Sequence, residues 1–174
     1  HQRVNTVATA IGDDLLLFQV LKIEFVQQFY EQEQWEINQR TNIDKLDLAS
    51  IETWSKLDYK NYLGQEYAKL DSQKDKLKSI SLSKYKGILE GEKIDEVYYP
   101  YLYDWYAKDY ISCLKNQSVF TPDEVSANRK KADQIVNDLA NSSKGDAWLM
   151  NQLYKIDYNY EKNQCKDHIN KLKA

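Results

Sequence analysis

The sequence is poor in the residues that make tight turns. It has five glycines and two prolines in 174 residues. A β-sandwich needs turn residues about every ten positions, so this composition argues against an all-β architecture. The glycines are not clustered, and neither a phosphate-binding loop, a dinucleotide fingerprint nor a Gly-x-Ser-x-Gly elbow is present. The composition instead favours helices.

Cysteine and histidine are also scarce. The two cysteines, Cys113 and Cys165, form no C-x-x-C pair, and His1 is far from His168. This spacing excludes a zinc site, and we expect neither a metal nor another cofactor. Cys165 and His168 lie three residues apart, but no oxyanion donor or orienting loop accompanies them, so we expect no enzyme activity. The sequence does not decide whether Cys113 and Cys165 form a disulfide, but two buried thiols are favoured.

The chain has no large excess of either charge. It carries 24 basic and 27 acidic residues, for a net charge of −3. Such a mixed surface has no electrostatic footprint for nucleic acid. The longest apolar run covers only residues 15–18, so no transmembrane span is expected in this segment. Because it starts at His1 without a signal-peptide layout, we interpret the chain as a piece of a larger protein.

Tyrosine is the residue type in conspicuous excess. There are 14 tyrosines beside four tryptophans and four phenylalanines. A tyrosine ring is buried easily, whereas its hydroxyl needs a partner or water. Helices rich in tyrosine are therefore expected at half-buried boundaries.

Apolar residues spaced three and four apart predict helices along most of the chain. The predicted helices cover residues 13–40, 56–70, 83–90, 100–116, a segment from Thr121 onward, and 147–172. The expected end signals are Asp13 or Asp14 as the first cap, Gly91 as a stop, Pro100 as a first helical residue, a Thr121–Glu124 capping box, and Asp146 as the last cap.

Two of these helices have informative apolar patterns. The first carries two adjacent stripes, which predict a wide buried face: Leu15, Phe18, Leu21, Phe25 and Phe29, beside Leu16, Val20, Ile23, Val26 and Tyr30. The last carries Leu149, Leu153, Ile156 and Tyr160, and then a shifted stripe of Cys165, Ile169 and Leu172. The shift predicts two packing partners, a bend, or a tail that pairs with something beyond the chain.

These elements predict an all-α fold. Successive helices joined by short loops should form antiparallel hairpins, either as an irregular bundle or as the start of an α-solenoid. No repeat of the length of a regular helical array is evident. We expect a single helical module over residues 1–174, with a core in 13–140 and a final helix in 146–174 that packs on further neighbours.

The densest aromatic segment covers residues 98–106. Its five candidate surface residues are Tyr98, Tyr99, Tyr101, Tyr103 and Trp105. A stacking platform for a sugar or peptide is one interpretation. The other interpretation is a helix start that packs against its neighbours. We favour it because helical spacing turns about half of these rings inward. The outward rings would still form an interaction patch.

Three segments in order resemble a known family. They are QFYEQEQWEINQRT at 28–41, DLASIETW at 47–54 and YPYLYDWYA at 99–107. Together they resemble the N-terminal helical region of very large bacterial α2-macroglobulin-family proteins of the Bacteroidetes type, in which a "YYQQNRW…RT" helix end precedes an "I-x-TW" step and a "PTLYDFLA" helix start. Here Tyr101 replaces the threonine, and Trp105 and Tyr106 replace Phe-Leu. The resemblance covers about residues 15–117 well and the remainder weakly.

The resemblance implies an exported, cell-envelope protein, periplasmic or associated with the outer membrane, that traps or inhibits proteases. Some members carry a Cys-x-Glu-Gln thioester, but here Cys165 is followed by Lys166 and Asp167, so this chemistry does not transfer. What transfers is a non-catalytic helical scaffold or docking module. Its partners would be the remaining domains of the same polypeptide, with proteases or envelope proteins beyond them. The alternative is an independent helical module that binds a peptide or glycan through its aromatic face.

Overall fold

The computed structural model describes residues 12–41, 48–89, 98–142 and 144–173, and the side chains of the last helix up to Gln164. The α-helices are α1 (Asp13–Ile37), α2 (Lys56–Asp71), α3 (Lys74–Leu77), α4 (Lys86–Leu89), α5 (Leu102–Lys115), α6 (Pro122–Ser142) and α7 (Gly145–Lys173), with 3-10 helices at Leu48–Thr53 and Leu82–Tyr85. Within these ranges the only β contact is an isolated bridge between Ser81 and Tyr101. The predicted all-α class is confirmed.

The start of α1 differs from the prediction. Gly12, with a φ of 72°, precedes the helix, and no side chain caps it. Asp13 and Asp14 are therefore not caps. Their carboxylates face Lys84, whose Nζ lies 3.7 Å from Asp13 and 3.5 Å from Asp14, and the Tyr85 hydroxyl donates to Asp14 at 2.8 Å. These contacts attach the start of α1 to the segment before α4.

Only one of the two predicted stripes of α1 is fully buried. The buried residues of this helix are Leu16, Leu17, Val20, Ile23, Val26, Tyr30 and Ile37. In the other stripe, Leu15 and Phe25 are exposed. The helix is central to the core as expected, but its buried face is narrower than predicted.

An aromatic cluster joins α1 to α2. The ring of Tyr59 lies 5.3 Å from Tyr30 and 5.1 Å from Trp54 between centroids, and all three rings are buried. Lys22 forms an ion pair of 2.7 Å with Glu66 on the same side. These contacts make α1 and α2 an antiparallel hairpin.

The capping boxes show how well local signals fix helix starts. The predicted box before α6 is confirmed, because the Thr121 amide donates to Glu124 at 3.0 Å and the Glu124 amide donates to the Thr121 hydroxyl at 3.3 Å. A second box precedes α2, where the Ser55 amide donates to Asp58 at 2.9 Å and the Asp58 amide returns a bond of 3.3 Å to the Ser55 hydroxyl. That box was not recognised in the sequence, although its Ser-x-x-Asp pattern follows the same rule.

Pro100 is not the first residue of a helix as predicted. Its carbonyl accepts from the Leu82 amide at 3.0 Å, and the Leu102 amide donates to the Ile80 carbonyl at 2.9 Å. This pairing holds the chain extended until Leu102, where α5 begins. The predicted 83–90 helix is divided between the 3-10 helix at Leu82–Tyr85 and α4, and its predicted stop, Gly91, lies outside the described residues.

The remaining long helices form two further hairpins. Between α5 and α6, the Tyr103 hydroxyl donates to Asp138 at 2.6 Å, and the Asn128 amide lies 3.5 Å from the Leu114 carbonyl. Because the two pairs run in opposite order along the helices, α5 and α6 are antiparallel. Helix α6 continues to Ser142. Asp146 lies in the first turn of α7 instead of capping it as predicted.

Two further features complete the fold. Cys113 is a buried free thiol, and burial raises its pKa; the side chain of Cys165 lies outside the described residues. None of the helices in the described ranges is long and apolar enough to cross a membrane.

Candidate docking surface on the last helix

Helix α7 attaches to the rest of the molecule through polar contacts. The buried Asn151 donates to the Asp104 carboxylate at 2.8 Å, and Gln152 donates to the Ala140 carbonyl at 2.8 Å. About two turns further along, the Tyr158 hydroxyl donates to Asp133 at 3.0 Å. These bonds place α7 antiparallel to α6.

Lysines of α5 strengthen this attachment. The Lys108 ammonium lies 4.5 Å from the centroid of the Tyr99 ring and 5.6 Å from that of Tyr154, and it donates to the Tyr98 carbonyl at 3.0 Å. Burial lowers the pKa of Lys108. Lys115 lies 5.5 Å from the Tyr158 ring centroid. Cation–π contacts of this kind contribute about 0.5–1 kcal/mol each at exposed sites and more when desolvated.

The apolar stripe of α7 consequently faces away from the bundle. We call Leu149, Leu153, Ile156 and Tyr160 the outer stripe. Their exposed fractions are 52%, 45%, 61% and 65%. The sequence predicted two packing partners, a bend, or a tail that pairs with something beyond the chain, and within the described part of the chain nothing covers this stripe. A contiguous apolar stripe on a surface helix marks an interaction site more often than a lone exposed leucine does.

The tyrosines decide which face of α7 turns inward. Tyr154 and Tyr158 place their rings against the lysines of α5, and Tyr158 keeps a carboxylate partner for its hydroxyl. Asn151 supplies the donor that buried Asp104 needs, because a buried carboxylate without hydrogen bonds is costly. The spacing of Asn151, Tyr154 and Tyr158 is itself helical, and this was the signal in the sequence that pointed to the true inner face.

The two edges of the outer stripe differ in charge. Helical spacing places the exposed Asp146 and Asp157 along one edge, and the exposed Asn159 and Asn163 along the other. Neither aspartate makes an ion pair with a described residue, whereas Lys162 on the inner side is paired with Asp133 at 2.5 Å. The outer half of α7, as far as its side chains are described, is acidic on one edge and neutral on the other.

The predicted aromatic surface is only partly a surface. Tyr98 and Tyr101 are exposed, and Tyr99 is half-buried over Lys108. Tyr103 and Trp105 are buried, with exposed fractions of 3% and 6%, so these two are corrected from surface to core residues. Both are buried because the first turns of α5 are enclosed on every side: all residues from Leu102 to Ala107 are buried. No continuous stacking platform of five rings exists.

A second polar cluster lies between α1, α2 and α5. Gln27 donates to both Asp109 oxygens at 2.9 Å, and the Tyr67 hydroxyl donates to Asp109 at 2.5 Å. The Tyr67 ring stacks on Tyr110 at 4.1 Å between centroids. Asp109 on α5 thus connects three helices.

Burial raises the pKa of Asp109, although its bonds to Tyr67 and Gln27 oppose the shift and the charge of Glu31 adds to it. A raised native-state pKa means that the stabilising contribution of Asp109 is full at low pH and declines as pH rises from about 4 through the raised value. We therefore expect the stability advantage of the wild type over Asp109→Asn to shrink across this range. Urea unfolding of both proteins at several pH values measures it, and a difference that grows with pH would contradict the burial argument.

The polar residues of the described ranges do not form a metal-binding group. No set of three or more His, Cys, Asp and Glu side chains there is arranged to hold a metal ion. A shallow hollow between α6 and α7 is lined by Asp133, Asn137, Lys155, Tyr158 and Lys162. Since Asp133 already receives bonds from Tyr158 and Lys162, this hollow offers little unsatisfied polar capacity.

The exposure of the outer stripe leads to a stability prediction. Replacing both Leu153 and Ile156 by glutamine should change the free energy of unfolding by no more than about 0.5 kcal/mol per site, because these residues are 45% and 61% exposed on the surface. The matched control is Ile135→Gln on α6, a buried position that should lose several kcal/mol. Equal losses in both variants, measured by urea unfolding, would place the outer stripe in the core.

Comparisons with known proteins do not assign the chain. No protein-family model, curated protein or solved structure matches it.

Proposed function

We propose that this chain is a non-catalytic helical docking module whose outer stripe packs against another part of the same polypeptide. The observation that carries the proposal is the orientation of α7. A helix held through Asn151, Tyr154 and Tyr158, with its leucines and isoleucine outside, has an apolar face that no described residue covers and that a partner would cover.

We further propose that the polypeptide is an exported, macroglobulin-like protein of the cell envelope that inhibits proteases. The support is the resemblance of residues 28–41, 47–54 and 99–107 to the helical region of that family. All three segments include core positions, since Tyr30, Trp54 and Tyr106 are buried. A complete reading frame without macroglobulin-type β-domains would refute this family assignment and leave the docking surface untouched.

Photo-crosslinking tests the docking surface directly. A benzophenone amino acid at Ile156 in the complete polypeptide should crosslink to one defined segment outside residues 1–174. The same probe at Ser126, an exposed position on α6, serves as the control and should give only diffuse products. If Ile156 behaves like Ser126, the docking proposal is wrong.

A second candidate function is binding of a peptide or glycan through the exposed rings of Tyr98 and Tyr101. Two exposed tyrosines in one short segment favour it, because aromatic rings stack well on sugars and prolines. Binding arrays with the wild type and with the Tyr98→Ala/Tyr101→Ala variant test it. Ligand signals that survive the double substitution, or no signals at all, would exclude this candidate.

A further inference from the structure

We propose that the partner of the outer stripe is an amphipathic helix with a basic edge. This inference rests on the proposed docking function and specifies the chemistry of the partner. The outer stripe runs from Leu149 to Tyr160 with steps of four, three and four residues. It is about 16 Å long at a helical rise of ~1.5 Å per residue, and steps of three and four are those of a helix–helix seam.

The acidic edge makes the surface selective. Asp146 and Asp157 are exposed along one side of the outer stripe, and they have no cationic partner among the described residues. Lys155 and Lys162 lie on the inner half of α7, where they line the hollow against α6. A partner helix that carries lysine or arginine beside its apolar stripe would meet both carboxylates, whereas an acidic partner would be repelled.

A second copy of this chain fits this surface less well. A two-fold axis brings identical patches together. For two antiparallel α7 helices the same edges then meet, so that Asp146 and Asp157 of each copy lie along the same border as those of the other. Like charges there weaken association, and the opposite border would offer only Asn159 and Asn163. The surface is thus not electrostatically complementary to itself.

A lipid surface fits less well for the same reason. Helices that lie in the membrane interface are typically rich in lysine and arginine on the polar face, which attracts anionic lipids. The described outer half of α7 has aspartates and amides at the corresponding places. Charge complementarity therefore selects a basic helix over a second copy and over a membrane.

A tethered helix tests the proposal on the full chain. A tail of about 17 residues would be joined to the C-terminus through about 12 Gly/Ser residues, a flexible linker that raises its effective concentration into the millimolar range. The tail carries leucine with the spacing of the outer stripe and lysine along one edge. A matched control tail has the same leucines but carries glutamate instead of lysine along that edge. Hydrogen exchange of the 149–160 amides reports how well each tail covers α7.

We expect the lysine-edged tail to slow exchange of these amides about threefold to tenfold more than the glutamate-edged tail at low ionic strength. The difference should largely vanish at 1 M salt, where the screening length is about 3 Å. Asp146→Lys/Asp157→Lys should reverse the ranking of the tails. Leu153→Gln/Ile156→Gln should abolish protection by both tails.

Each of the other possible results contradicts a particular part of the proposal. If both tails protect equally and the aspartate variant changes nothing, the basic edge is wrong and the docking surface stands. If neither tail protects and the Ile156 crosslinker gives no defined product, both proposals fail. If the untailed chain dimerises in light scattering through Leu153 and Ile156, or binds vesicles of anionic lipid through them, the partner is a second copy or a membrane instead.

Discussion

Replacing Trp54 with alanine is expected to lower the free energy of unfolding by about 3–5 kcal/mol, the range found for buried large aromatic residues. Trp54 is fully buried, and its ring lies 5.1 Å from Tyr59 and 4.9 Å from Tyr62 between centroids. Removing it leaves a cavity between the 3-10 helix at Leu48–Thr53 and α2. Because Tyr59 also stacks against Phe29, the loss should reach α1.

The sequence offers a control of the same residue type for this experiment. Trp35 lies near the end of α1 with 75% of its surface exposed. Trp35→Ala should change stability by about 0.5 kcal/mol or less. Urea unfolding followed by circular dichroism compares the two variants, and equal losses at Trp54 and Trp35 would contradict the described core.

Replacing Asn151 with alanine is expected to cost about 1–3 kcal/mol, because the substitution removes the side-chain donor to one oxygen of a buried carboxylate. Asp104 is 1% exposed and accepts from Asn151 at 2.8 Å and from the Tyr101 amide at 3.1 Å. Burial already raises the pKa of Asp104, and the bond from Asn151 holds that rise in check. The variant should therefore raise this pKa further, which carboxyl NMR titration measures.

Asn159→Ala is the matched control for Asn151→Ala. Asn159 is exposed on the same helix, two turns further along. Its replacement should be close to neutral and should leave the titration of Asp104 unchanged. If Asn159→Ala destabilises the chain as much as Asn151→Ala, the inner and outer faces of α7 have been assigned the wrong way round.

The fold class could be predicted from the sequence because helical periodicity and turn residues are local signals. The Thr121–Glu124 box fixed the start of α6, since both halves of the signal lie within one turn. The start of α5 could not be predicted in the same way. Pro100 is compatible with a first helical residue, but the bridge between Ser81 and Tyr101 holds it outside the helix, and that pairing joins segments 20 residues apart.

The orientation of α7 could not be read from hydrophobicity. Leu149, Leu153 and Ile156 form the more apolar stripe, and apolar stripes normally turn inward. The inner face is instead set by partners on other helices: Asp104 and Lys108 on α5, and Asp133 on α6. A single sequence does not show which residues will meet across helices. The excess of tyrosine was the indirect sign, because the inner face of α7 contains the half-buried ring of Tyr154 and the buried Tyr158, whose hydroxyl donates to Asp133.

The aromatic segment at residues 98–106 shows the same limit of prediction from a single sequence. Its spacing indicated that about half of the rings would be buried, and Tyr103 and Trp105 are. Which rings would be buried could not be read from helical spacing, because α5 is buried on every side at its start: all residues from Leu102 to Ala107 are buried. Burial all around a helix start depends on the neighbouring segments and not on helical periodicity, so the predicted surface included two core residues.

The order of the hairpins bears on how fast the chain folds. The pairs α1–α2, α5–α6 and α6–α7 join neighbours along the chain, and closing short loops costs little conformational entropy. Folding dominated by such local contacts takes microseconds to milliseconds. The bond between Gln27 and Asp109 spans 82 residues and should form after the hairpins. Substitutions at Asp109 are then expected to accelerate unfolding while leaving the refolding rate nearly unchanged.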